Sequence, residues 1–226
     1  NYVTFNNESW RIIGVMNNID DGTGVKETRL KIIKEKPYSE EIAWDAEDEN
    51  DWSVASLQEE LNGPYLESIK SPSNKIINNA IWNLGGSITY DDVTASLYYE
   101  RERGTEVYSG HKTKWIGKIG LIYASDYGYA TSGGSTTNRD TCLNTALYNW
   151  NSSIASDCRS NDWLYDELIY QWTITPWAGD SRAVVYLRAS GTIHYHYAHF
   201  TNVSIYPVLY LSSNVRITSG DGSSSS

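Results

Sequence analysis

Apolar and polar residues alternate in short runs at the start of the chain, give way to helical spacing in the middle, and alternate again toward the end. Residues 10–15 and 28–33 read as strands around a turn at Asn17-Asn18-Ile19-Asp20-Asp21-Gly22-Thr23-Gly24. Ser56 and Glu59 have capping-box spacing, which predicts a helix over 53–61 that Asn62-Gly63-Pro64 stops. Ile76, Ile77, Ala80, Ile81 and Leu84 recur at helical intervals and predict a second helix over 72–84, ended by Gly85-Gly86. Asp92 is placed to cap a third over 93–103, and Leu143, Ala146, Leu147 and Trp150 make a stripe for a fourth over 136–150. Beyond Trp163 the pattern is β, over 171–175, 183–189, 192–197, 203–211 and 215–217. Helices first and an aromatic-rich antiparallel sheet last is an α+β order.

The 226 residues contain no internal repeat, so one globular domain over 1–218 is expected, followed by a Gly/Ser-rich tail over 219–226. Eighteen Lys and Arg against 28 Asp and Glu leave a net charge of −10, which argues against a nucleic-acid partner. No apolar run approaches the roughly 20 residues of a membrane helix. The chain opens at Asn1-Tyr2-Val3 without Met or a basic-then-apolar leader, so a signal peptide or anchoring helix is expected to have preceded it. Tyr (18) and Trp (9) far outnumber Phe (2), and such amphipathic rings suit half-wet binding faces as well as cores. Cys142 and Cys158 bracket one short loop; a disulfide there would contribute about 3 kcal/mol, the alternative being two unrelated buried thiols.

Few constellations suggest catalysis. His194, His196 and His199 lie within six residues, and on a strand the first two share a face where they could hold a metal. No Asp or Glu stands between Asp180 and Asp221 to assist them, so an aromatic-polar surface is the favoured reading. Asp91-Asp92 and Asp162/Asp166/Glu167 have the composition of glycosidase carboxylates but read more simply as caps and turns. The acidic stretch 40–52 lacks the ordered ligands of a calcium loop and reads as solvated. Nucleophile elbows, phosphate loops and dinucleotide fingerprints are absent, and no cofactor is expected.

The C-terminal segment carries a resemblance. Trp172-Thr173-Ile174-Thr175-Pro176-Trp177, then Ala183-Val184-Val185-Tyr186-Leu187, Ser190-Gly191 and Tyr206-Pro207-Val208-Leu209-Tyr210-Leu211 resemble a bacterial surface-protein family. Its pattern runs from W-x-x-(S/T)-P through an aromatic hairpin to R-P-V-L-Y-L. Trp82-Asn83-Leu84-Gly85-Gly86, Glu100-Arg101-Glu102-Arg103-Gly104, the segment from Gly120 to Ala130, Cys142 with Leu143, and Cys158 with Asn161-Asp162-Trp163-Leu164 are similar to the same family. Here Tyr206 replaces the usual Arg before the proline, so any ion pair of that Arg is missing. The family is similar to C-type-lectin-like and formylglycine-generating-enzyme-like domains and often follows a prepilin-like or wall-anchored segment.

The resemblance implies a C-type-lectin-like α+β fold and a non-catalytic, extracellular, adhesin-like domain of a bacterial surface protein. Its partner would be a host or bacterial surface glycan or protein. The expected ligand face is Trp177, Tyr186, Arg188, His194, Tyr195, His196, Tyr197, His199, Phe200 and Asn202. Strand alternation would send either the His194/His196 pair or the Tyr195/Tyr197 pair into the core. An extracellular setting would also keep Cys142–Cys158 oxidised. Alternatives are the head of a pilin-like filament contacting its neighbours, and a metal-dependent enzyme built on the three histidines. From Ala178 onward the chain has no Lys, Glu, Gln, Met or Trp, types that supply 35 of the 226 residues. Those five types cannot arise when the first two bases of AAC or AAT codons are randomised. By resemblance to lectin-like proteins diversified by mutagenic reverse transcription, Arg182, Arg188, His194, His196, His199, Phe200, Thr201, Asn202, Ser204 and Ile205 are candidate variable positions.

Overall fold

The computed structural model describes residues 1–39, 41–216 and 222–223. Glu40, the end of the expected 215–217 strand and most of the expected tail lie outside the described residues. Strands β1 (Tyr2–Phe5), β2 (Glu8–Asp20) and β3 (Lys26–Lys34) form an antiparallel meander. The β2–β3 turn is closed by its aspartates: Asp20 accepts the Gly22 amide and Asp21 the Thr23 amide, each at 2.8 Å. Gly22 and Gly24 take the positive φ angles of 94° and 90° that L-residues avoid.

The first helical segment departs from expectation. Helix α1 (Ser56–Glu60) begins where Asp45 Oδ1 accepts the Ser56 amide, while Ser56 Oγ accepts from Ala46, so the expected capping box is not made. The chain then passes through a wider five-residue turn, Leu61–Tyr65, into α2 (Leu66–Ser68). Pro64 sits inside the turn, where a widened helix tolerates the missing N–H, so Asn62-Gly63-Pro64 does not stop it.

The expected 72–84 helix is not one. A short turn, Ser73–Ile76, leads to strand β4 (Ala80–Asn83), which pairs with β5 (Lys114–Gly117). Ala80 and Trp82 point inward and Ile81 and Asn83 are half-buried, so period 2 wins in a run that also fits helical spacing. Helix α3 (Ala95–Glu102) falls inside the expected 93–103, but Thr94 rather than Asp92 caps it. After β6 (Ile119–Gly120) comes α4 (Ala124–Ala130). The expected 136–150 helix is split into α5 (Arg139–Leu143) and a turn at Leu147–Asn149, because the Leu147 amide bonds Val93 O instead of its own helix.

Helix α6 (Ser156–Ser160) precedes the three-stranded antiparallel sheet of β7 (Gln171–Pro176), β8 (Ala183–Leu187) and β9 (Ile193–Tyr197), with β9 at one edge. Strand β10 (Val208–Leu211) then returns between β3 and β6, giving the order β1-β2-β3-β10-β6. Within the expected 203–211 strand, Ser204 and Ile205 make only single bridges. The whole is a mixed helix and antiparallel-sheet architecture, as the α+β order implied.

Six of the nine tryptophans (Trp10, Trp44, Trp52, Trp82, Trp150 and Trp172) are fully buried, so most of the unusual indole content fills the core. Cys142 and Cys158 form a disulfide with Cα atoms 5.3 Å apart, joining α5 to α6. No described helix is long and apolar enough to cross a membrane.

Candidate binding face

Strand β8 is buried along its whole length, and β9, its partner, is not. The register sets His194 opposite Tyr186, Tyr195 opposite Val185, His196 opposite Val184 and Tyr197 opposite Ala183. Neither alternating pair enters the core. Ile193 is buried, whereas His194, Tyr195, His196 and Tyr197 are all half-buried, because β9 is an edge and loops cover each face only partly. The expected division into one core pair and one surface pair is therefore replaced by four ring side chains lying partly in solvent.

Three ring groups extend from β9. In the first, Trp177 stacks on Tyr195 with centroids 3.9 Å apart and planes 9° from parallel. Tyr90 lies 4.5 Å from His194, 5.1 Å from Tyr195 and 5.2 Å from Tyr148. In the second, Phe200, 40% exposed, meets His196 at 3.9 Å, while Tyr170 lies over Tyr186 at 6.0 Å. In the third, the Arg182 guanidinium sits 4.5 Å from the Tyr197 ring, and His199 lies beside that ring at 6.2 Å. His199 Nδ1 pairs with Asp48 at 2.7 Å, tying this end of the face to the acidic loop.

The free edge is quenched locally. His196 Nδ1 accepts the Tyr197 amide at 2.9 Å, and His194 Nδ1 bonds the Tyr195 carbonyl at 3.0 Å. Two imidazoles thus occupy backbone groups that an incoming strand would need, a protection against edge-to-edge pairing. Burial, together with His199 and His194, holds the His196 imidazole below its ordinary pKa, in keeping with a neutral acceptor nitrogen. All three Nδ1 atoms have partners, and among the described residues no group of three or more His, Cys, Asp or Glu is disposed to hold a metal.

Several expected residues are corrected. Tyr186 is 7% exposed and belongs to the core layer under His194 and His196. Ser204 and Ile205, expected variable positions, are buried, whereas Arg182, His199, Phe200, Thr201 and Asn202 are exposed. Arg188 is half-buried at the base of the β8–β9 turn, whose amide bonds Thr192 O. That turn is pinned rather than free. Arg159 Nη1 donates to Ser190 O at 2.6 Å, Tyr165 to Ala189 O and Tyr127 to Gly191 O. Gly191, at φ 76°, also lies where a Cβ would come within 2.8 Å of Arg159, so the turn demands glycine twice over.

Three of the carboxylates considered for glycoside chemistry accept hydrogen bonds within their own turns. Asp162 Oδ1 accepts the Leu164 amide, Asp166 Oδ1 the Leu168 amide, and Asp92 the Thr89 hydroxyl. In the acidic loop, Asp45 and Asp51 are buried and capped by backbone amides, including those of Glu49, Ser56, Ser53 and Lys112, so this loop is less solvated than expected. Tyr90, Tyr148, Tyr170 and Asp48 join the face from four other segments. Nothing local in the sequence marks the three tyrosines as part of this face, and Asp48, at φ 61°, lies in the acidic stretch that read as solvated. The chain matches no protein-family model, no curated protein and no solved structure.

Proposed function

We propose that the ring-rich surface around β9 is a ligand-binding face, on a non-catalytic, extracellular, adhesin-like domain displayed on a bacterial surface. The observation that carries this reading is the continuous series Tyr148, Tyr90, His194, Tyr195 and Trp177, half-buried and in mutual contact along one sheet edge. A sheet interior needs no such series, since β8 and Trp172 already close the core beneath it. Tyr and Trp offer large contact area with few rotors to freeze, and His and Arg supply directed hydrogen bonds, a combination suited to a sugar ring or a protein loop. The C-type-lectin-like character of the fold, the surface location and a glycan or protein partner rest on the resemblance of residues 115–217. The Cys142–Cys158 disulfide supports an oxidising compartment.

The same reading includes sequence diversification of the exposed and half-buried part of the face, at Arg182, Arg188, His194, His196, His199, Phe200, Thr201 and Asn202. Buried Ser204 and Ile205 are withdrawn from that set. The test is a screen on arrays of glycans and extracellular proteins, followed by titration of each hit against Tyr195→Ala and Phe200→Ala. Loss of the hits with folding retained is expected. Hits that survive both substitutions, or no hit on either array, would remove the proposal.

A further inference from the structure

A second concavity, of about 760 Å³, opens between the β2–β3 hairpin, α3 and α4, and none of its lining comes from β7, β8 or β9. Its size is that of small-ligand sites. Its charge runs against the rest of the molecule. Lys26, Lys31, Arg103 and Lys114 line it with only Asp20 and Asp126, in a chain of net charge −10. Both carboxylates are already committed: Asp126 to Lys31 and the Tyr123 amide, Asp20 to the turn amides of Gly22 and Gly24. Lys26 and Lys114 are exposed and make no ion pair among the described residues.

The floor is built in an unusual way. Lys31 is fully buried on β3, paired with Asp126, and its ammonium lies 4.7 Å from the Tyr123 ring and 5.7 Å from that of Tyr210. Removing two charges from water costs several kcal/mol, so an apolar pair in place of both Lys31 and Asp126 would commonly serve the fold as well, whereas replacing Lys31 alone would strand the carboxylate. Above it, Arg103 lies flat on Tyr99, its carbon 3.4 Å from the ring centroid. Arg103 Nη1 donates to Tyr99 O and faces Glu102, while Nε and Nη2 have no hydrogen-bond partner among the described residues. A guanidinium held flat with one fork open matches a carboxylate in two-point contact. Tyr99 and Tyr129, 45% and 39% exposed and in edge contact at 6.3 Å, border the same opening.

We infer that this cleft is a binding site for a small ring-bearing carboxylate, the class of uronic and sialic acids. The acid group is received by the open side of Arg103, with Lys26 and Lys114 at the rim, and the ring rests against Tyr99 and Tyr129. The site is separate from the β9 face and does not depend on that reading.

The experiment follows amide shifts of the ¹⁵N-labelled domain at low salt during titration with D-glucuronate and N-acetylneuraminate, using D-glucose and acetate as controls. At least one acid is expected to shift residues of α3, α4 and β2 at millimolar concentration or below, at least about tenfold more tightly than either control, with weaker binding in 0.5 M NaCl. Arg103→Gln should abolish this response. Because that change also removes a neighbour of buried Glu102, the exposed double variant Lys26→Gln/Lys114→Gln serves beside it and should weaken binding severalfold with the fold intact. Tyr195→Ala should bind the acid unchanged. Equal binding of glucose or acetate, shifts confined to 193–202, undiminished binding in the double-lysine variant, or no response to either acid at 20-fold above a millimolar (about 20 mM, where even sites of few kcal/mol fill) would overturn the assignment.

Discussion

Strands β8 and β9 are neighbours of equal length, paired residue for residue, yet Ala-Val-Val-Tyr-Leu is entirely buried while His-Tyr-His-Tyr of Ile-His-Tyr-His-Tyr remains half in solvent. The first is a central strand covered on both faces, for which a continuous apolar run is the expected signature. The second is an edge, and it carries rings with polar tips that can pack on one side and hydrogen-bond on the other. The contrast shows where this aromatic-rich chain places its rings: indoles mostly in the core, tyrosines divided between the core and the β9 edge, and His194 and His196 on that edge. Substitutions on the buried side should therefore act on stability, and those on β9 on recognition.

The largest effect is expected inside the sheet. Trp172→Ala removes a fully buried indole on β7 and should cost about 3–5 kcal/mol in urea denaturation. A loss below about 1 kcal/mol would mean that the core does not lie beneath β8 after all. Replacing both cysteines by serine should cost about 3 kcal/mol for a loop of this length. It should also loosen the β8–β9 turn, because Arg159 of α6 holds Ser190. Faster amide exchange over 188–192 checks the second effect, and two free thiols in the denatured, unreduced protein would contradict the bridge itself.

The next effect depends on pH. Glu102 is buried beneath β7, where it accepts from the Ser125 amide and the Thr175 hydroxyl, and burial pushes its carboxyl up to about 7. A carboxyl whose folded pKa exceeds its unfolded value binds more protons folded than unfolded, so its contribution falls as pH rises from about 4.5 through about 7. Glu102→Gln, which keeps an acceptor and stays neutral, should gain on wild type by about 2–3 kcal/mol between pH 5 and pH 8. Comparing the two proteins cancels the parallel contribution of buried Asp162, which burial also raises. A difference that does not change with pH would show Glu102 to be ionised throughout. The smallest effect belongs to β9. His194→Ala, His196→Ala and His199→Ala together should cost only about 1–2 kcal/mol, the scale of a few partly exposed hydrogen bonds. Unfolding at room temperature would place these rings in the core and erase the contrast.

The edge was more legible in the sequence than the middle of the chain. Turn residues bounded the β2–β3 hairpin, β-rich runs marked 171–175, 183–189 and 192–197, and sixteen-residue spacing suggested the disulfide. The 72–84 segment misled because a short apolar run satisfies helical and strand periods alike, and only pairing with β5 decides. Pro64 misled because a widened turn absorbs it. On the face itself, the sequence pointed to the β9 rings but not to Tyr90, Tyr148 or Asp48, which long-range folding brings to them. It also could not show that the cations lining the cleft come together from three separate segments, β3, the end of α3 and β5.

Hydrogen exchange of the domain with and without its tightest array hit tests the central claim most directly. Protection gained over 193–202, with secondary gains near Tyr90 and Tyr148, is the predicted result. Protection confined to β2, α3 and α4, or no change over 193–202 at saturation, would contradict a recognition role for the β9 edge.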